Sequence, residues 1–414
     1  MGFAQGVSGL NSSASNLDVI GNNIANSGTI GFKSGSVQFS DVYAGSRVGL
    51  GTQVAGVLQN FTAGAVQTST RALDVAIVNG DGFFRLASPA GEVSYSRNGQ
   101  FDMDKDGYVV NAAGLRLTGF QSNSAVGGGT PVALQLPTTA MAPKATEDIV
   151  AQFNLDSRST VPTAPFDAND SSTYNFANAV TLFDSLGNSH ELSTFFVKNG
   201  VNNWQVYATA DGSPLTSAGA IDTTVPPVAS ALTNGPLVFS SEGVLTSPAD
   251  GKLNFAGGLD FGNGAAAMNF VVDVTGTTQF GNVSDVKKLT QNGYTSGQLS
   301  SFAINEDGTV TGKYSNEQSE ALGQIVLSSF VNPNGLQPKG DNIWAETAAS
   351  GQPLTGKPGS GTKLGSLAAG ALEASNVDLT SELVNLIIAQ RTYQANAQTV
   401  KTQDQVMQTL VNMR

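Results

Sequence analysis

DLTSELVNLIIAQRTYQANAQTVKTQDQVMQTLV, residues 378–411, is the stretch that most clearly predicts the architecture of this chain. Its apolar residues recur with a mean step of about 3.5, interrupted by Gln390 and Asp404, and this step is typical of a helix that forms a coiled-coil seam. Asp378 is the predicted N-cap, and Glu382 follows in the first turn, where the helix dipole favours negative charge. The predicted seam consists of Leu379, Leu383, Leu386, Tyr393, Ala397, Val400, Met407 and Val411.

A second helix is predicted at the start of the chain, where apolar residues alternate in steps of four and three. Both helices are at the extreme ends of the chain, and an isolated helix with an unburied apolar stripe is marginal in water. We therefore expect both ends to be poorly ordered in the monomer and to fold when neighbouring subunits cover them. The N-terminal stripe consists of Phe3, Val7, Leu10, Ala14, Leu17, Ile20 and Ile24.

Between the two helices the chain is predicted to be β-structure. Residues 73–78, 83–86 and 93–96 have strand patterns, separated by turn pairs such as Asn79-Gly80 and Asp81-Gly82. The chain contains 48 glycines and only 13% charged residues, a composition that favours a β-rich protein with many tight turns. The predicted fold is mainly β: two β-rich domains, one inserted in the other, with the long terminal helices forming a coiled-coil-like terminal domain.

The predicted domain boundaries follow shifts in composition along the chain. Residues 1–26 with 378–414 form the terminal helical domain, and 27–71 with 358–377 form an extended connector. Residues 72–144 with 285–357 form a β-rich domain, into which an acidic β-rich outer domain, 145–284, is inserted. That insert carries 13 Asp or Glu and 3 Lys or Arg, a net −10 of the chain's −12. This charge argues against nucleic acid or anionic membranes as partners.

No set of residues predicts catalysis, a cofactor or a metal site, so we expect the chain not to be an enzyme. Cysteine is absent, which excludes disulfides and thiolate chemistry. Residues 102–107, DMDKDG, match the start of a calcium loop, but Ala113 stands where such a loop needs a bidentate Glu. Apolar alternation around them predicts a hairpin instead. His190, the single histidine, is predicted to lie in a turn at the surface. Asp167 and Asp170 fit a solvated acidic surface better than a glycosidase pair.

The N-terminal residues MGFAQG have neither a basic region nor an apolar core, and so do not resemble a signal peptide. No apolar run in the sequence is long enough to span a bilayer. If this protein leaves the cell, we expect an export route without a cleaved signal peptide.

Four strings of the sequence, in this order, resemble the signatures of the flagellar rod and hook protein family. They are NLDVIGNNIAN (16–26) followed by GFK (31–33); LDVAI (73–77) with GDGFF (80–84); YSRNGQF (95–101); and ALEASNVDL (371–379) with AQRTYQANA (389–397). The similarity covers about residues 1–144 and 285–414. The motif residues singled out are Asn22, Asn23, Asn26, Gly31, Phe32, Asn376 and Asp378.

The resemblance implies a structural subunit of a bacterial flagellum that polymerises with itself as a helical homopolymer. It implies rod, hook-cap and hook–filament junction proteins and the flagellar export apparatus as partners, an extracellular location at the hook and basal body, and neither cofactors nor membrane insertion. In such a tube the terminal helices form the inner wall, and the β domains form the outer layers. An insert of about 140 residues favours the hook members of the family, whose curved tube acts as a universal joint for torque.

Two alternatives remain open from the sequence. One is a distal-rod subunit of the same family, with straighter and stiffer geometry. The other is an extracellular enzyme or adhesin whose middle domain binds or cleaves glycans.

Overall fold

The computed structural model describes residues 2–42, 49–121, 129–222, 224, 230–233, 235–359 and 363–412. Over these residues the chain has a long helix near each end and strands between them, so the prediction of a mainly β fold with terminal helices is confirmed. The helices are α1 (Gly2–Ala25) and α2 (Leu379–Asn412), and a short 3-10 helix spans Pro333–Gly335.

The strands before the middle of the chain are β1 (Gly35–Val42), β2 (Gly51–Gln59), β3 (Val66–Thr68), β4 (Val75–Val78), β5 (Phe83–Ala87), β6 (Val93–Ser96), β7 (Asp102–Met103), β8 (Val109–Val110), β9 (Arg116–Gln121) and β10 (Val132–Ala133). Those of the middle are β11 (Asp148–Asp156), β12 (Phe176–Phe183), β13 (Ser189–Gly200), β14 (Asn203–Ala210), β15 (Ser213–Pro214), β16 (Leu237–Phe239), β17 (Leu245–Ser247), β18 (Lys252–Leu259), β19 (Met268–Asp273), β20 (Thr278–Phe280) and β21 (Asp285–Gln291). The remainder are β22 (Leu299–Ile304), β23 (Thr309–Tyr314), β24 (Ser319–Ile325), β25 (Leu327–Ser329), β26 (Gln337–Gly340), β27 (Ile343–Ala345), β28 (Leu354–Gly356), β29 (Ser366–Ala369) and β30 (Ala371–Glu373).

The chain divides into two compact units. The first comprises Met1–Thr138, Ser300–Lys313 and Ser319–Arg414, and the second comprises Thr139–Leu299 and Tyr314–Gln318. The finer division predicted from the sequence, with 1–26 and 378–414 as a separate helical domain and 145–284 as the insert, stays a prediction.

The first unit is built around one large sheet, whose main path runs β22-β23-β24-β9-β5-β6-β27-β26. Three two-stranded sheets accompany it. One pairs the consecutive strands β1 and β2, and the other two pair strands that are distant in sequence, β4 with β29 and β3 with β30. Its aromatic core includes Phe83, Tyr95, Phe330 and Trp344. Since β29 and β30 immediately precede the segment that enters α2, these pairings tie the C-terminal segment to strands near the N-terminus.

The second unit contains a five-stranded sheet, with main path β18-β19-β11-β20 and β21 paired to β11, and a six-stranded sheet, with main path β12-β13-β14-β16-β17. Apolar residues of both sheets share one core, in which Phe153 and Phe255 pack with Phe196 and Trp204. The Trp204 Nε1 donates to Gln279 Oε1 at 2.8 Å, so the buried indole has a partner for its polar atom.

The calcium-like string forms the predicted hairpin, because β7 pairs antiparallel with β8. Asp104 Oδ1 accepts the backbone N–H groups of Asp106 and Tyr108 at 2.9 and 2.8 Å, so this carboxylate stabilises the turn.

The prediction for His190 is wrong. The turn ends before it, and His190 lies in β13 with its side chain only 9% exposed. Its ring stacks on Phe261 with centroids 3.6 Å apart, and its nitrogens lie 2.7 Å from Asp211 Oδ2 and 3.3 Å from Asp184 Oδ2. Asn263 Nδ2 also donates to Asp184 Oδ2 at 2.7 Å, so this group joins the loop around residue 263 to the start of β13.

Candidate assembly surface

The two terminal helices pack against each other through small residues of α1. A Cβ added to Gly6 would lie 2.8 Å from Val400 Cγ2, and one added to Gly9 would lie 2.9 Å from Asn396 Nδ2. Asn396 Nδ2 also donates to Ser13 Oγ at 3.3 Å. These contacts require short side chains on α1, and they bring together residues from opposite ends of the chain.

The predicted C-terminal seam is divided between two environments. Leu386, Tyr393, Ala397 and Val400 are half-buried, whereas four other members remain exposed. The exposed fractions are 46% for Leu379, 45% for Leu383, 59% for Met407 and 72% for Val411. On α1, Phe3 and Val7 are exposed, Leu10, Ala14, Leu17 and Ile24 are half-buried, and Ile20 is buried. The proposed role of these residues in a seam between subunits stays a prediction.

A second apolar face of α2 lies outside the predicted stripe. Val384, Ile387 and Ile388 are 52%, 51% and 57% exposed, whereas Ala389 is buried. The signal for this face is present in the sequence, since Val384 and Ile388 are four residues apart and Ile387 lies between them at helical spacing. These residues lie outside the single heptad stripe that was predicted.

The hairpin of β1 and β2 is attached to α1 by Asn23. The Asn23 Nδ2 donates to the Gly35 carbonyl at 2.8 Å, and its Oδ1 accepts the Gly35 N–H at 2.9 Å. Asn23 is 2% exposed, so its side-chain amide provides the hydrogen bonds that water would otherwise make to the backbone of Gly35. The expectation of an extended connector over 27–71 did not include this hairpin.

Asn22 and Asn26 act at the end of α1. Asn26 Nδ2 donates to the Asn22 carbonyl at 3.0 Å and to Asn22 Oδ1 at 3.1 Å. Gly31 follows with φ of +70°, and a Cβ there would lie 2.7 Å from the backbone N of Asn98, so this position requires glycine. The Phe32 N–H closes the turn on the Thr29 carbonyl at 3.2 Å.

Asn376 and Asp378 shape the entry into α2. Asn376 Oδ1 accepts the Ser34 N–H at 2.8 Å, and its Nδ2 donates to the Asn60 carbonyl at 2.7 Å. The predicted N-cap is confirmed: Asp378 Oδ1 accepts the N–H groups of Ser381 at 3.2 Å and Thr380 at 2.9 Å. These bonds to the carboxylate hold the pKa of Asp378 below its ordinary value.

The four motif strings meet at a buried ion cluster formed by Lys33, Arg97 and Glu373. Lys33 Nζ lies 2.6 Å from Glu373 Oε1, and Arg97 Nη1 lies 3.3 Å from Glu373 Oε2. All three side chains are at most 2% exposed. The Arg97 guanidinium also lies 5.3 Å from the centroid of the Phe83 ring, which belongs to the second string.

Backbone groups complete this ion cluster. Glu373 Oε1 accepts the Gly64 N–H at 2.9 Å, and Lys33 Nζ donates to the Thr62 carbonyl at 2.7 Å. Burial lowers the pKa of Lys33, and the adjacent Glu373 partly opposes that effect. The cluster was not predicted from the sequence. The available signal was the presence of charged residues in the motif strings of a chain with only 13% charged residues.

Over the described residues, no group of three or more His, Asp or Glu side chains is arranged to hold a metal ion. Within the same ranges, neither helix is long and apolar enough to cross a membrane.

Family models match four segments that together span most of the chain. Residues 5–33 match the flagella basal body rod protein, and 77–152 match the flagellar hook protein FlgE/F/G D1 domain. Residues 154–294 match the flagellar basal body protein FlaE D2 domain, and 368–413 match the C-terminal part of the flagellar basal body rod FlgEFG protein.

Individual proteins are also similar to this chain. The crystal structure of the Helicobacter pylori flagellar hook protein FlgE2 covers 70% of this chain and 98% of its own, with a TM-score of 0.48 and 12% identity. The flagellar hook protein FlgE of Treponema pallidum is 33% identical, with 99% of this chain and 98% of its own covered. That of Escherichia coli K12 is 48% identical over 420 aligned residues, with all of both chains covered. The chain belongs to the flagellar hook protein family.

Proposed function

We propose that this chain is the structural subunit of the bacterial flagellar hook, which polymerises into a curved, flexible tube and transmits torque from rod to filament. The observation that carries the proposal is the 48% identity to a flagellar hook protein over the whole of both chains. A distal-rod subunit is not favoured, because the full-length relatives are named as hook proteins.

The surface of the first unit supports a polymer. The exposed apolar residues Val384, Ile387 and Ile388 are neighbours on the surface of α2, and contiguous exposed apolar surface is typical of protein interfaces. In the proposed tube the helices of residues 1–26 and 378–414 form the inner wall. Residues 27–71 with 358–377 connect them to the β domain of 72–144 with 285–357, and 145–284 form the outer domain.

The proposed role is structural and not enzymatic. It assigns the rod, hook-cap and hook–filament junction proteins as further partners. It also assigns delivery by the flagellar export apparatus without cleavage of a signal peptide. The acidic outer domain then faces water, since its net charge of −10 keeps it soluble and disfavours adhesion to other acidic surfaces.

Complementation tests the function. The chain is expressed in a flagellated bacterium whose own hook gene is deleted, and hooks are counted by electron microscopy beside a swimming assay. We expect curved hooks and restored swimming, and neither with a chain that lacks residues 379–412. Export of the intact chain without any hook would refute the proposal, and straight, stiff tubes would favour the distal rod.

Limited proteolysis of the purified monomer tests the coupling of terminal order to assembly. Because the apolar faces of both helices are partly unburied, we expect rapid loss of both terminal helices and a stable β core. Equal resistance of ends and core in a confirmed monomer would show that the contact between α1 and α2 suffices to order them.

A further inference from the structure

A groove of about 760 Å³ lies between α1, α2 and the β1–β2 hairpin. Its walls include the apolar side chains of Val19, Val37 and Phe39, together with the carboxylate of Glu382. Phe39 is 48% exposed, although it lies in a strand that packs beside α1. The groove therefore combines exposed apolar surface with one acidic group.

The carboxylate of Glu382 is incompletely paired. Its Oε1 lies 3.4 Å from Asn23 Nδ2, a long hydrogen bond, and its Oε2 is buried without a hydrogen-bond partner among the described residues. A buried carboxylate oxygen without a donor is costly. Because Glu382 lines the groove, a cation that enters the groove comes close to this carboxylate and can supply the missing hydrogen-bond donor.

The same helix carries a complementary surface, which we call the outer face: Val384, Ile387 and Arg391. These residues are spaced i, i+3 and i+7, so they share one face of α2. All three are exposed, and among the described residues no carboxylate forms an ion pair with Arg391. The helix α1 contains no Lys or Arg, so it offers no cation to Glu382.

We propose that the outer face of α2 in one copy docks in the groove of a second copy, where Arg391 of the first copy pairs with Glu382 of the second. This inference rests on the proposed function and specifies a contact within the polymer. Arg is suited to the site because its planar guanidinium can donate to both carboxylate oxygens. Val384 and Ile387 then cover the apolar wall that includes Phe39.

The geometry of α2 favours a second copy over the chain's own outer face. Glu382 and Arg391 are nine residues apart, about 14 Å along a helix, and the outer face points away from the groove side that carries Ala389. The contact therefore joins two different surfaces of the same chain. Such a contact leaves one groove and one outer face free at the ends and adds copies without closing a dimer.

Two charge reversals, Glu382→Arg and Arg391→Glu, test the pairing in the hook-deleted bacterium. Each alone places like charges at every junction, and we expect hooks per cell to fall about ten-fold or more. Co-expressed, the two variants can alternate so that every junction has opposite charges, and we expect hooks within about two-fold of the unmodified chain. Lys401→Glu, which reverses the other cation of α2, is the matched control and should assemble normally.

Failure of the unmodified chain to form hooks would contradict the proposed function. Hooks from the unmodified chain, with no recovery when the two variants are combined, would overturn the pairing alone. Normal assembly of either single reversal would overturn it as well.

Disulfide cross-linking between introduced cysteines is a second test, and it can be carried out even when few hooks assemble. The chain has no cysteine, so a chain with Glu382→Cys and Arg391→Cys carries two thiols that are too far apart on one helix to bond each other. Oxidation of isolated hooks should give a ladder of disulfide-linked copies. The pair Glu382→Cys and Lys401→Cys should give single chains. Assembled hooks of the first variant that yield only single chains after oxidation would refute the contact.

Discussion

Replacement of Glu373 by glutamine should destabilise the first unit strongly. The change removes the single carboxylate from a cluster with two cations, Lys33 and Arg97, whose side chains are at most 2% exposed. Breaking a buried ion pair by removing one partner typically costs about 3–5 kcal/mol. For a unit of this size, that loss lowers the unfolding midpoint by roughly 6–20 °C.

The assay follows the fluorescence of Trp344 during thermal unfolding in a Trp204→Phe background, since the chain has 2 tryptophans and Trp344 packs in the core of the first unit. The matched control is Glu92→Gln, because Glu92 is 65% exposed in its ion pair with Lys339. Exposed pairs contribute at most about 1 kcal/mol, so this control should scarcely change the midpoint.

Lys33→Met gives the decisive comparison. It leaves Glu373 with Arg97 and the Gly64 N–H as partners, and it reduces the cluster to one cation and one anion. We therefore expect it to destabilise less than Glu373→Gln. An equal or larger effect of Lys33→Met would refute the electrostatic explanation and indicate that packing around the lysine chain dominates.

The loss of folding stability caused by Glu373→Gln should also depend on pH. The pKa of Lys33 is lowered from 10.5 by burial, and Glu373 opposes that shift, so the pKa falls further in the variant. A lysine with a lowered folded pKa binds fewer protons folded than unfolded, and stability then rises with pH up to its unfolded pKa. The difference in unfolding free energy between the variant and the unmodified chain should therefore become smaller as pH rises from neutral toward 10.5. A difference that widens over that range would contradict this assignment.

Three further changes test individual contacts. Gly6→Ala should weaken the protection of α1 against hydrogen exchange, because the new Cβ would lie 2.8 Å from a valine methyl of α2. Gly21→Ala, whose new Cβ would have no atom within 4 Å, should strengthen that protection by about 1 kcal/mol. Stronger protection in Gly6→Ala than in Gly21→Ala would contradict the packing described. Asp378→Ala should lower the helicity of α2 in circular dichroism. The pKa of Asp378 is lowered by backbone N–H donors, so its contribution is present above 3.8 and is lost as pH falls through the lowered value; a helicity that is flat through this acid range would count against the cap. His190→Ala removes the ring that stacks on Phe261 and should speed proteolysis within residues 257–266; unchanged cleavage there would show that other contacts hold this loop.

Local signals explain what the sequence analysis predicted correctly. Asp378 predicts the start of α2 at Leu379, because N-capping acts between residues that are close in sequence. The strands at 75–78 and 83–87 follow from apolar runs separated by turn pairs of Asn or Asp with Gly. These signals lie within a few residues of the structure that they determine.

The missed features depend on partners that are distant in the chain. Lys33 and Glu373 are 340 positions apart, and no periodicity in either segment reports that their side chains meet. The His190 side chain is covered by Phe261 and Asp211, which lie in the segments that follow β18 and β14. The division of the α2 stripe likewise depends on where α1 lies, and helical spacing alone cannot determine that position.

The contact between α1 and α2 also has a consequence in time. Ser13 and Asn396, which share a hydrogen bond, are separated by 383 positions. At a synthesis rate of about 5–20 residues per second, the second of these appears roughly 20–80 s after the first. During that interval α1 has no helix to pack against, and the groove has neither its α2 wall nor Glu382. A nascent chain therefore has no completed docking surface until its last segment is made, which delays self-association until synthesis is almost finished.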